Sequence, residues 1–137
     1  MITEDYVSFE IAKLLKEKGF DEATNRYYNA QCHQIRTVSD TFMWHWNNEE
    51  FVKGVLMDGA IAIPTLQMAM KWLREERKLN CIIDVSFNQN GNEETEYYFS
   101  VWENKPPYEL LRESSQTFSI YEEACEAAIK YCLEKLV

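Results

Sequence analysis

Between residues 64 and 103 the hydrophobic pattern changes period once, and this change constrains the fold more than any other feature. Up to Lys78 the period is helical. Pro64 is pre-set for a first helical turn, because its ring already holds φ near the helical value. Leu66, Ala69, Met70 and Leu73 make one apolar stripe with Trp72 beside it, and Lys71, Arg74 and Lys78 fall together on the opposite side. This predicts a helix over 64–78. From Asn80 onward the period is two. Ile83, Val85 and Phe87 share one face of a strand over 80–87, and Tyr97, Phe99 and Val101 share one face of a strand over 96–103. Asn90-Gly91 between them is a tight-turn signal. Pro106-Pro107 ends the second strand, since proline has no amide hydrogen for a ladder. A helix stripe and a hairpin face must each be covered, and the nearest cover for one is the other.

The same alternation flanks this segment. Ser8 is an N-cap candidate for a helix over 9–18, with Ile11, Ala12, Leu14 and Leu15 on its apolar side. Gly19 suits a left-handed stop, and Phe20 can fold back onto the last turn. Gln34–Val38 and Thr41–Trp46 read as two strands joined at Ser39-Asp40, a first hairpin. Residues 21–31, with Tyr27-Tyr28 at their centre, and 108–118 show no period. Over 49–62, Phe51, Val52, Val55 and Leu56 have helical spacing, which Gly54 and Gly59 weaken. A last helix spans 121–136. Ser119 is its expected N-cap, Glu122 completes a capping box, and Ala124, Ala128, Ile129, Cys132, Leu133 and Leu136 face inward. The expected fold is a single α+β domain over 1–137. Its order is α-ββ-α-ββ-α, with an antiparallel sheet from two hairpins and three helices mainly on one face. Ala12–Glu17 and Met70–Glu75 share a short pattern on which amphipathic helices converge without duplication.

Charge and motifs narrow the function. The net charge is −9, and it is spread evenly: residues 1–60 carry 6 basic and 10 acidic side chains, and residues 61–137 carry 8 and 13. No half of the chain presents a basic surface for a phosphate backbone. The four glycines stand at 19, 54, 59 and 91, never in phosphate-cradling spacing. Cys32, Cys81, Cys125 and Cys132 form no metal-binding spacing. Cys125 and Cys132 lie about 10 Å apart along a helix, too far to bridge. Free thiols in a reducing cytoplasm are expected. The N-terminus lacks a basic stretch followed by an apolar one, and no apolar run nears the ~20 residues that span a bilayer. Cys32-His33 and His45 are the one Cys/His grouping. His33 and His45 would face each other across the first hairpin, but Cys32 and His33 point to opposite faces, so neither a metal set nor a thiol–base pair is complete. No catalytic residue and no cofactor is expected.

The aromatic surplus is what these readings leave over. The chain has four Trp, eight Tyr and seven Phe. In the second hairpin Tyr98 and Trp102 lie on the face opposite Tyr97, Phe99 and Val101. Trp44 and Trp46, two apart, share a face of the first hairpin. A sheet with aromatics on both faces keeps one set after the core is filled. That set suits a protein partner or a second copy, where Tyr and Trp serve as anchors. The alternative is base stacking, with Lys71, Arg74 and Lys78 as the only basic stripe. A third reading is an acidic inhibitor that mimics DNA, with carboxylates aligned at phosphate-like spacing on one surface.

Three stretches carry a family resemblance: Val7–Glu22, Ala62–Glu75 and Ser119–Leu136. They resemble a family of small proteins of Bacteroidales genomes, often encoded among prophage or mobile-element genes. The resemblance covers the three helices in the same order, roughly a third of the chain, while 23–61 and the second hairpin diverge. It implies a bacterial cytoplasmic setting and a phage-related role, and it carries over no catalytic residue. The expectation is a non-enzymatic accessory domain acting through protein contact.

Overall fold

The structure is a computed structural model that describes residues 2–48, 59–87 and 95–137. The apolar spacing at Phe51–Leu56 and the Asn90-Gly91 turn lie outside the described residues. The class is α+β, with three α-helices and two antiparallel three-stranded sheets among the described residues. The strands expected in one sheet therefore belong to two, one in each of two compact units, Met1–Thr65 and Leu66–Val137.

In the first unit, α1 spans Phe9–Glu17 and buries Ile11, Ala12 and Leu15. Ser8 caps it, its Oγ accepting from the Ile11 amide at 3.3 Å. Gly19 follows with φ +95°, and the chain closes the helix end with two backbone bonds. Phe20 N–H donates to Leu15 O (2.9 Å) and Gly19 N–H to Lys16 O (3.2 Å). This reversal carries Phe20 into the core, where it is fully buried.

The first hairpin forms upstream of its expected place. Strand β1, Arg26–Asn29, pairs antiparallel with β2, Gln34–Thr37, and β3, Ile61–Ala62, lies on the other side of β1. Residues 41–46 are not the return strand. Asp40–Phe42 is a single 3₁₀ turn, and Trp44 pairs with Thr24 in an isolated bridge rather than in a strand. Burial explains the choice. All four residues of β2 are exposed, so it needs only an edge to pair with. Tyr27 in the central strand is buried, and Trp46 lies flat on it with ring centroids 3.8 Å apart. Trp46 Nε1 also donates to Thr24 O at 2.8 Å. An indole placed this way covers the sheet from outside its ladder. Asn47 ties the segment down: its amide donates to Phe20 O (2.8 Å) and its Oδ1 accepts from the Ala62 amide (2.8 Å).

In the second unit, α2 spans Leu66–Glu76 and buries Leu66, Ala69, Met70, Trp72 and Leu73. The second hairpin is β4, Leu79–Phe87, against β5, Thr95–Glu103, in full register. A third strand, β6, Leu110–Glu113, occupies part of the segment without a period and gives the order β4-β5-β6. The ladder shifts register between Val101 and Trp102, where β6 joins. Helix α3, Tyr121–Tyr131, continues into a π-helical turn, Cys132–Leu136. It packs on β4, β5 and α2 through Ala124, Cys125, Ala128 and Ile129. Its N-cap is Ile120, with no side-chain cap bond, rather than Ser119. Phe118 exchanges both backbone bonds with Tyr97 at 2.7 Å, so pairing with the sheet sets where the helix begins.

Candidate interaction surface

The alternation of β4 and β5 sorts their side chains onto two faces. Cys81, Ile83, Phe99 and Val101 share the face against α3, where Cys81 Sγ meets Cys132 Sγ. The other face carries Asn80, Ile82 and Asp84 from β4 and Tyr98, Ser100 and Trp102 from β5. Strand β6 adds Leu110 opposite Trp102 and Glu113 opposite Ser100. The result is a shallow depression of ≈ 280 Å³. Ser100 is buried at its floor, and Ile82, Tyr98, Trp102 and Leu110 form its apolar walls. Ile82 is 37% exposed, Trp102 36% and Leu110 44%. Trp102 Nε1 donates to Ser100 Oγ at 3.1 Å, which holds the indole along the sheet and satisfies the buried hydroxyl. The charged groups that line the depression are both acidic, Asp84 and Glu113.

The expected aromatic residues divide. Tyr98 and Trp102 share this outer face. Trp44 is 44% exposed in the first unit, but Trp46 is buried in that unit's core. They do not share a face of a hairpin, because 41–46 is not a strand. Ile82 and Leu110 belong to the surface and were not anticipated. Ile82 was legible from alternation, standing between Asn80 and Asp84. Leu110 was not, since β6 is too short to show a period.

Lys71 and Lys78 are exposed and Arg74 is half-buried. Lys78 Nζ donates to Glu75 O at 2.8 Å, capping the end of α2 from just beyond it. Asn104 Nδ2 takes the Arg74 carbonyl at 3.3 Å. His33 and His45 have separate surroundings. His33, at φ +53° in the β1–β2 turn, bonds Tyr28 Oη at 2.9 Å, and His45 Nδ1 lies 2.8 Å from Asp21 O. Cys32 is exposed in the same turn as His33. Among the described residues no three His, Cys, Asp or Glu side chains converge as for a metal ion. Among them, too, no helix is long and apolar enough to cross a membrane.

No protein-family model, no curated protein and no solved structure matches this chain.

Proposed function

We propose that this chain is a non-enzymatic accessory domain of a bacterial prophage or mobile element, working in the cytoplasm by docking a protein partner on the outer face of β4-β5-β6. One observation carries the reading. Tyr98, Trp102, Ile82 and Leu110 gather on the sheet face that α3 leaves open, with Trp102 already fixed by its bond to Ser100. A rigid aromatic side chain at the centre of a face loses little entropy when covered, which makes it an effective anchor. Asp84 and Glu113 at the rim favour a partner that sets Lys or Arg around an apolar side chain. The same two carboxylates repel a phosphate backbone, so protein contact is preferred over base stacking.

The test is capture from host lysate during phage induction, with and without nuclease, using the native chain and a Tyr98→Ala/Trp102→Ala double variant. A partner retained after nuclease and lost with the double variant supports the reading. Capture that vanishes with nuclease, or that the double variant leaves unchanged, overturns it.

A further inference from the structure

The edges of the second unit's sheet differ in a way that the docking face does not explain. On the β6 side, Tyr97 exchanges bonds with Phe118, Phe99 O accepts from Ser114 N–H, and Glu103 N–H donates to Glu109 O. The odd-numbered residues of β5 therefore turn their backbone groups toward β6, and the even-numbered ones toward β4. Through the register, Asn80, Ile82, Asp84 and Ser86 direct their amides and carbonyls at β5. Cys81, Ile83 and Val85 direct theirs outward, and among the described residues these groups meet no backbone partner. β4 is nine residues long, about 30 Å of open edge.

Edge strands of monomers are protected by short length, proline, basic side chains or bulges. β6 has such devices: four residues, Pro106-Pro107 just before it, Arg112 within it and a register shift beside it. β4 has no proline, no lysine and no arginine, and its one charge is Asp84. Ile82 and Val85 are exposed along it.

The edge is also complementary to itself. Placed antiparallel to its own copy with Ile83 opposite the partner's Ile83, all nine residues pair. Cys81 then stands opposite the partner's Val85. Asp84 stands opposite the partner's Ile82, so the two carboxylates do not face each other. A shift of two that sets the Asp84 carboxylates opposite each other costs like-charge repulsion. The centred register also aligns the outward backbone groups as hydrogen-bonded pairs, giving about ten bonds between the copies. We propose that the β4 edge joins two copies of this chain into one continuous six-stranded sheet. The two-fold axis runs perpendicular to the sheet, so both outer faces end on the same side and the docking surface is doubled. The edge and the face are separate surfaces, and either can hold without the other.

Light scattering after gel filtration, from micromolar to near-millimolar chain, tests the proposal together with amide exchange. A rise toward twice the 16.3 kDa chain mass is expected. Over the same range the exchange of the Cys81, Ile83 and Val85 amides should slow about ten-fold or more, while those of Ile82 and Asp84 are already protected. Val85→Lys, which sets a charge on the exposed edge, should return the mass to that of one chain with unchanged far-UV dichroism. A single-chain mass at every concentration overturns the proposal. So does a dimer in which the Cys81, Ile83 and Val85 amides exchange as fast as in dilute protein, or one that Val85→Lys leaves intact. Should Val85→Lys fail to fold, amide exchange of the native chain decides alone.

Discussion

Cys81 Sγ lies 3.6 Å from Cys132 Sγ, joining the open-edge strand of the second unit to the turn that ends α3. The residues are 51 positions apart. The hydrogen bond with Cys81 and burial together hold the Cys132 thiol far above its usual range. Burial pushes the neighbouring Cys125 thiol up to about 11. Thiolate, not thiol, is the reactive form, so both groups are shielded by chemistry as well as by access.

A thiol-exchange reagent at neutral pH should therefore label one cysteine quickly. Cys32 is exposed in the β1–β2 turn, whereas Cys125 and Cys132 are fully buried. Labelling of the native chain followed by peptide mass mapping should find Cys32 first, with Cys125 and Cys132 reacting only after denaturant is added. Early modification of Cys125 or Cys132 would contradict the packing of α3 on the sheet.

Stability should fall in alkali. Cys125 ionises near 9.0 in an unfolded chain and near about 11 when folded. Burial raises Tyr121 in the same direction. Above pH 9 the unfolded chain releases protons that the folded chain keeps, so unfolding becomes easier. The contribution is complete below pH 9 and is lost as pH rises toward about 11. Melting scans should show a flat Tm to about pH 8.5 and a decline beyond it, shallower in Cys125→Ala. A Tm that rises over this interval would be the wrong sign.

Trp46 and Trp44 should behave unequally despite their spacing. Trp46→Ala removes a ring stacked on Tyr27 and a bond to Thr24 O, and should cost about 3–5 kcal/mol in urea unfolding. Trp46→Phe keeps a smaller ring and removes one of the two donors to the Thr24 carbonyl, which still accepts from the Trp44 amide, and should cost about 1–2 kcal/mol. Trp44→Ala, at a half-exposed position, should cost less than either. Equal losses at 44 and 46 would argue against the buried indole.

Gly19 should not tolerate a side chain. At φ +95° it closes α1 by the bonds that bring Phe20 inward. Gly19→Ala should lower stability by about 1–2 kcal/mol, read from the urea midpoint. No change in midpoint would mean that α1 ends in another way.

The helices and the second hairpin were legible because their information is local. The stripe of Leu66, Ala69, Met70 and Leu73, the Ser8 cap and the Gly19 stop act within a turn or two of chain. The nine-residue strands β4 and β5 repeat their alternation often enough to show both faces, which is why Tyr98 and Trp102 could be placed together from residues alone. The start of α3 was not local. Ser119 and Glu122 carry a good capping signal, yet pairing of Phe118 with Tyr97 sets the helix entry.

The sequence by itself determined the α+β class, the order of helices and hairpins, and the outward set of the second sheet, because periodicity and caps are properties of neighbours in the chain. The tertiary structure alone decided which strand β2 pairs with and that Trp46 is core while Trp44 is not. It also added β6, with Leu110 completing the outer face, and left β4 at an open edge. Those choices depend on which surfaces and backbone groups distant segments leave uncovered, and no local pattern encodes them.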